Sequence, residues 1–249
     1  MGKRSAAPTG GSLARTPLQI PMARLARSTI CGYPHQITQR GNYGQRVFEE
    51  EQDFKRYLAW AREYADRYGI DIWAYCLMPN HVHFVCVPKS EGALALGFNT
   101  LHMRYAQYFH KKRGLTGHLW KGRFLSCLLD DASVFEEIRF IENNPIRAGI
   151  VERAEDYPWS SARPHIYGLP DLVSNDAPLR TPIGPTWREY LNSQEDASVI
   201  RRVRACLRTG RPAGEPSFVH TAEKILGRRL EALPRGRPRK YPAVARAVV

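Results

Sequence analysis

Two short apolar runs, joined by a Met-Pro-Asn turn at residues 78–80, limit the fold of this chain more than any other feature. The runs cover residues 70–77 and 82–87 and are too short for ordinary helices, so they predict the two strands of a hairpin. Apolar residues at helical spacing over 52–68 and 94–112 predict one helix before the hairpin and one after it. The predicted order over this region is therefore helix, strand, strand, helix.

Two further strands and a third helix complete the predicted domain. β-branched and aromatic residues predict a first strand within 29–38 and a fourth strand at 124–129. A helix is predicted over 132–144, because Pro145 disfavours helical geometry in the residue before it. The order β-α-β-β-α-β-α predicts an α+β, ferredoxin-like antiparallel sheet with helices on one face, plus one extra helix.

Changes in composition divide the 249 residues into five predicted segments. They are a basic flexible arm (1–27), the main domain (28–167), a proline-rich linker (168–185), a small helical extension (186–230) and a basic tail (231–249). Within the extension, helical stretches are predicted at 187–191 and 222–230.

The cysteines and the apolar runs indicate the compartment. The five cysteines are odd in number and form no CxxC pair, and three of them lie in apolar runs; this usage is typical of a reducing cytosol. No apolar run approaches the roughly 18 residues of a membrane span, and the start of the chain has no apolar signal core. We therefore expect a cytoplasmic protein, associated with the bacterial nucleoid, that has no membrane partner.

The charge of the chain predicts a polyanionic partner. Lysine and arginine number 37 against 24 acidic residues, which gives a formal net charge of +13. Nucleic acid is the favoured partner, because basic side chains displace condensed counterions from phosphates; a merely basic, soluble surface is the alternative. The residues expected to contact phosphate are Arg40, Arg46, Lys111, Lys112, Arg113, Lys121, Arg123 and Arg147, and those expected to stack on unpaired bases are Tyr43 and Trp120.

The basic tail contains the sequence Pro-Arg-Gly-Arg-Pro at residues 234–238. This sequence matches an AT-hook core, in which Arg235 and Arg237 would enter the narrow minor groove of A·T-rich duplex DNA. A disordered basic tail is the competing interpretation.

Two histidines, His81 and His83, form the sharpest local feature. Side chains at i and i+2 of a strand project from the same face, so these two imidazoles converge and suit a divalent metal. Two partly exposed histidines on an edge strand are the alternative. Asn144 shares a predicted helix face with Phe140 and could add an amide oxygen to the site, or it could simply bond the backbone at the helix end.

Four motifs together suggest a family. They are Met78-Pro79-Asn80-His81-Val82-His83, His118-Leu119-Trp120-Lys121-Gly122-Arg123-Phe124, Asn144-Pro145-Ile146-Arg147-Ala148-Gly149 and Trp159-Ser160-Ser161. Over about residues 22–167 the chain resembles the REP-associated tyrosine transposases of the HUH single-tyrosine superfamily.

The resemblance implies a ferredoxin-like HUH domain in which His81, His83 and Asn144 bind Mg²⁺ or Mn²⁺. The ion polarises a scissile phosphate of single-stranded DNA, and a helix tyrosine attacks it to form a 5′-phosphotyrosine link. This chain has Phe140 at the position of that tyrosine. A phenylalanine packs as a tyrosine does but cannot form the link.

Two tyrosines on the preceding helix, Tyr105 and Tyr108, are candidate substitute nucleophiles; buried tyrosines of the core are the competing interpretation.

Three functions are compatible with these features. The first is a transposase-family protein that recognises single-stranded or hairpin repeat DNA, with metal-dependent strand cleavage and joining in DNA transposition. The second, favoured by Phe140, is a catalytically inactive, domesticated DNA-binding protein. The third, an RNA-binding module, lacks the expected aromatic strand motif and does not explain the paired histidines. Either a monomer or a homodimer is compatible with the sequence.

Overall fold

A four-stranded antiparallel sheet forms the centre of the protein. The computed structural model describes residues 27–175 and 186–231. The strands are β1 (His35–Arg40), β2 (Ile70–Met78), β3 (His81–Pro88) and β4 (Leu125–Leu128). Their spatial order is β2-β3-β1-β4, and every neighbouring pair is antiparallel. This order confirms the predicted ferredoxin-like α+β fold.

Two long helices cover one face of the sheet. Helix α1 (Glu51–Tyr68) links β1 to β2, and α2 (Ala93–Arg113) links β3 to β4. Glu50 and Asp53 form a capping box at the start of α1, which satisfies backbone N–H groups that have no partner within the helix. Tyr57 and Tyr105 are fully buried between these helices and the sheet. Both helices lie within one residue of their predicted bounds.

A third helix, α3 (Asp131–Glu142), packs on the opposite face against β2 and β3. Alternate residues of β3 separate the two layers, because side chains of a strand alternate between faces. Phe84 joins the core under α1 and α2, whereas Val85 joins the core under α3. The helix predicted as an extra element therefore supplies the second layer of the domain.

The predicted position of Asn144 in the last turn of α3 is wrong. Helix α3 ends at Glu142, and Asn144 begins a separate short helix, α4 (Asn144–Arg147). Asn143 lies between them with φ −84° and ψ 1°. Pro145 is compatible with the first turn of α4, where its missing N–H would have had no helical partner.

The predicted first strand is also displaced. Residues 31–33 form a turn, in which Gly32 adopts φ +78° and donates its N–H to the Pro88 carbonyl at 2.9 Å. A positive φ favours glycine, so this turn delays the start of β1 to His35.

Four more α-helices follow α4 in the part of the chain that the structure describes. They are α5 (Ala162–Tyr167), α6 (Trp187–Asn192), α7 (Ala197–Thr209) and α8 (Pro216–Leu226). Helix α6 lies where it was predicted, α8 begins six residues before its predicted start at residue 222, and α7 was not predicted. Val203 and Leu207 of α7 pack in the same apolar cluster as Ile138 of α3. The helices after the linker thus bury apolar surface against the domain.

A buried carboxylate ties these helices to α3. The Glu142 side chain accepts hydrogen bonds from Ser161 Oγ at 2.5 Å, His165 Nδ1 at 2.7 Å and Trp187 Nε1 at 2.8 Å. Burial lowers the pKa of His165, but the adjacent Glu142 carboxylate outweighs burial and the pKa is raised. The residue before α5, a residue within α5 and the first residue of α6 therefore meet at one group on α3.

Some predictions fall outside the described residues. They concern the basic arm up to residue 26, part of the predicted linker, and the tail from residue 232, which contains Arg235 and Arg237. Among the described helices, none is both long and apolar enough to cross a membrane.

Candidate functional site

An open cleft of about 440 Å³ lies beside the carboxyl end of β1 and the start of β3. It is lined by Thr38, Gln39, Arg40, His81, His83, Lys121, Gly122, Arg123, Leu125, Phe140, Asn144 and Arg204. The cleft thus brings together both histidines of β3, the phenylalanine of α3, the asparagine of α4 and an arginine of α7.

The two histidines face the same side of the sheet, as the sequence predicts. Their ring centroids are 5.0 Å apart, and the ring planes are nearly perpendicular. His81 Nδ1 lies 2.6 Å from Asn80 Oδ1, so the ring donates from Nδ1 and keeps its Nε2 lone pair. His83 Nδ1 lies 3.5 Å from Gln36 Nε2, a distance at the limit of hydrogen bonding that does not fix the tautomer.

Both imidazoles are neutral at physiological pH. Burial lowers the pKa of His81 to about 4, with a further contribution from the Arg40 guanidinium. Burial also lowers the pKa of His83 well below its usual value, and the neighbouring His81 and arginines act in the same direction. A neutral imidazole has the lone pair that a metal ligand needs.

Phe140 forms one wall of the cleft. Its ring centroid is 6.3 Å from that of His83, and the two ring planes are nearly perpendicular. The guanidinium carbon of Arg147 lies 3.9 Å from the Phe140 ring centroid, and that of Arg204 lies 4.5 Å from it. The ring is 5% exposed. The residue at the expected nucleophile position therefore contacts a histidine and two cations but carries no hydroxyl.

The side chains of Asn144 and Arg147 are hydrogen-bonded to each other. Arg147 donates from Nη2 to Asn144 Oδ1 at 2.9 Å and also to the Phe140 carbonyl, and it forms an ion pair with Glu195 at 2.5 Å. The Asn144 Nδ2 group is buried and has no hydrogen-bond partner among the described residues. Arg147, predicted as a phosphate contact, thus has its charge balanced by Glu195 in this structure.

Four cationic side chains line the cleft, namely Arg40, Lys121, Arg123 and Arg204. All four are exposed, and none forms an ion pair with a residue in the described ranges. No aspartate or glutamate is among the residues that line the cleft. The cleft is therefore strongly positive, and its charge is not balanced from within the lining.

Comparison with known proteins finds similarity to one family. The model for "Transposase IS200 like" matches residues 32–144. This part of the chain therefore resembles the IS200-like transposases. A putative REP-associated tyrosine transposase of Haemophilus influenzae is 26% identical over 131 residues, which are 45% of this chain and 74% of that protein.

Two solved structures are similar to this chain. One is a REP-associated tyrosine transposase bound to a REP hairpin; it is 18% identical, with a TM-score of 0.48, and the match covers 62% of this chain and 94% of that one. The other is a putative transposase from Deinococcus radiodurans; it is 17% identical, with a TM-score of 0.34, and the match covers 49% and 97% of the two chains.

Tyr105 and Tyr108, the candidate substitute nucleophiles, lie away from the cleft. Tyr105 is fully buried and donates its hydroxyl to the Val47 carbonyl at 2.5 Å, and Tyr108 donates to Asp53 Oδ1 at 3.0 Å. Burial raises the pKa of both hydroxyls. Both tyrosines belong to α2, on the face of the sheet opposite the histidines, so neither reaches the cleft.

Several residues predicted to contact DNA also lie outside the cleft. Trp120 is 8% exposed and donates its indole N–H to the His102 carbonyl at 2.9 Å, so it belongs to the core and offers no free face to a base. Lys112 forms ion pairs with Glu50 and Asp53, and Arg113 forms one with Glu49. Lys111, at the same end of α2, is exposed but does not line the cleft, and neither does Arg46.

Tyr43 lies close to the cleft in the loop after β1. It is 99% exposed and has φ 53°, a left-handed conformation that is uncommon for a residue other than glycine. The loop is tied to Asn80, which donates from Nδ2 to the Gly44 carbonyl and accepts the Gly41 N–H. The structure thus presents a fully exposed aromatic ring on a loop that is hydrogen-bonded to Asn80, the residue before His81.

Sequence reasoning missed Arg204. The signal that could have found it is the apolar spacing of Ile200, Val203 and Leu207, which is that of an amphipathic helix. Such a pattern predicts the helix but not which side of it meets the cleft.

Proposed function

We propose that this IS200-like protein binds single-stranded or hairpin DNA in the cleft and holds it without forming a covalent tyrosine link. The observation that carries the proposal is the uncompensated positive charge around Phe140 and the two neutral histidines. Phosphodiesters are the natural partners of such a cleft, because guanidinium groups form charge-assisted hydrogen bonds to phosphate oxygens. Tyr43 would stack on an unpaired base at the rim.

Binding to matched nucleic acids tests this function. We expect the Arg40→Ala, Arg123→Ala double variant to bind a DNA hairpin with a single-stranded extension about tenfold or more weakly, because each lost guanidinium removes a phosphate contact. Fluorescence anisotropy measures the affinity. The Lys111→Ala, Lys224→Ala variant loses the same charge outside the cleft and is the control. Equal losses in both variants would reject the cleft as the binding site, and tighter binding to RNA of the same sequence would favour an RNA-binding protein.

The donor groups of the cleft fit a divalent metal. His81 keeps its Nε2 lone pair, His83 is neutral, and Asn144 Oδ1 retains a second lone pair beside the bond from Arg147. The described residues contain no cluster of three or more histidine, cysteine, aspartate or glutamate side chains, so the amide would be the third ligand. Mg²⁺ or Mn²⁺ bound there supplies Lewis-acid polarisation of a phosphodiester oxygen.

The positive cleft makes metal binding depend on DNA. His81, His83 and Asn144 would bring no negative charge to a divalent ion, while several cations surround them. A phosphate offsets that charge. We therefore expect the ion to bind more tightly when DNA is present.

Removing either histidine tests the metal site. We expect His81→Ala and His83→Ala to lower Mn²⁺ affinity in the presence of DNA by more than about tenfold, since even second-shell changes cost about 10- to 100-fold. Isothermal titration calorimetry measures the affinity. His220→Ala, at an exposed position on α8, is the control. Unchanged Mn²⁺ affinity in both variants would mean that His81 and His83 are ordinary histidines without a metal-binding role.

We propose separately that the basic tail binds duplex DNA. The AT-hook-like sequence with Arg235 and Arg237 would give this protein a second contact with A·T-rich duplex DNA. Its support is the sequence alone.

A further inference from the structure

Arg204 reaches the cleft from a helix outside the part of the chain that matches the IS200-like family. The match ends at residue 144, whereas Arg204 lies on α7. Val203 is fully buried and Leu207 nearly so against the α3 layer, and these two anchors fix the helix. The Arg204 guanidinium then lies over the Phe140 ring, with 4.5 Å from its carbon to the ring centroid.

Arg204 and the neighbouring Arg147 differ in whether a carboxylate balances their charge. Both guanidinium groups contact the Phe140 ring, and only Arg147 has a carboxylate partner, Glu195. Arg204 forms no ion pair or hydrogen bond with a described residue. The two cations also repel each other, because both lie over the same Phe140 ring, 3.9 Å and 4.5 Å from its centroid. An anion held by Arg204 would relieve this repulsion.

We propose that Arg204 is a phosphate-binding residue, through which the C-terminal helices complete the DNA cleft. Its guanidinium holds one phosphodiester of the bound strand beside His81 and His83. The Phe140 ring packs against the guanidinium. A planar guanidinium fits this task because it can donate two parallel hydrogen bonds to one phosphate. The inference rests on the proposed DNA binding. The competing role is structural, in which Arg204 only covers the Phe140 ring.

Single-residue variants of the full chain separate the two roles. We expect Arg204→Ala to raise the Kd for a single-stranded DNA oligonucleotide by about tenfold or more. The slope of log affinity against log salt should fall by about 0.7, the value for one phosphate contact on a single strand. Arg204→Lys should keep the salt slope but bind more weakly than wild type. Lysine keeps the charge but cannot donate two parallel hydrogen bonds to one phosphate.

Arg208→Ala is the matched control, because it removes the same charge one turn further along α7 and does not line the cleft. Equal affinities and salt slopes for Arg204→Ala and Arg208→Ala would overturn the inference, as would a loss of thermal stability in Arg204→Ala with unchanged DNA binding. If the wild-type protein binds no DNA at all, the proposed function itself fails. Should Arg204→Ala not fold, the comparison of Arg204→Lys with wild type decides the question.

Discussion

Wild-type protein incubated with single-stranded repeat DNA and Mn²⁺ is expected to give no covalent protein–DNA adduct, whereas Phe140→Tyr gives metal-dependent nicking. The Phe140 ring already lines the cleft, close to His83 and in contact with two guanidinium groups. The substitution adds a single oxygen to this ring. Nearby cations favour the ionised form of a phenol, which is the attacking species. The adduct is measured by denaturing electrophoresis.

Two results decide this prediction. The double variant Phe140→Tyr, His83→Ala should bind DNA and form no adduct, which ties the nicking to the metal site. An adduct formed by the wild-type protein would contradict the proposal and would point to another tyrosine. Tyr43 is then the first candidate, because it is fully exposed beside the cleft, and loss of the adduct in Tyr43→Phe would identify it. Failure of Phe140→Tyr to cleave would leave DNA binding standing.

Glu142→Ala is expected to lower the free energy of unfolding by about 3–5 kcal/mol, the usual cost of removing one partner from a buried charged network. Glu142 is fully buried and accepts hydrogen bonds from Ser161, His165 and Trp187. Its loss leaves an imidazole and an indole N–H without their acceptor in the protein interior. Urea denaturation followed by tryptophan fluorescence measures the effect.

Two controls make this result specific. Glu152→Ala removes an exposed carboxylate and should change stability by no more than about 0.5 kcal/mol. Glu142→Gln keeps one acceptor oxygen and should cost less than Glu142→Ala. A loss below about 1 kcal/mol for Glu142→Ala would mean that the hydrogen bonds of Glu142 contribute little to holding the helices after α4.

Local patterns in the sequence predict several parts of this protein. The strand period predicted the hairpin and the common orientation of His81 and His83, and the helical period predicted α1 and α2 nearly to the residue. These features follow from backbone geometry, which repeats every two or 3.6 residues. Phe140 was visible for the same reason, since its spacing from Asn144 is a local motif.

Which side chains are available to a ligand depends on contacts that form only in the folded chain. Trp120 and Lys112 lie in a basic and aromatic part of the sequence, yet one packs in the core and the other is held by Asp53, 59 residues away along the chain. Arg204, far from every motif, lines the cleft because α7 buries its apolar side on α3. Burial and ion pairing depend on contacts between distant segments, and no periodicity within one segment encodes them.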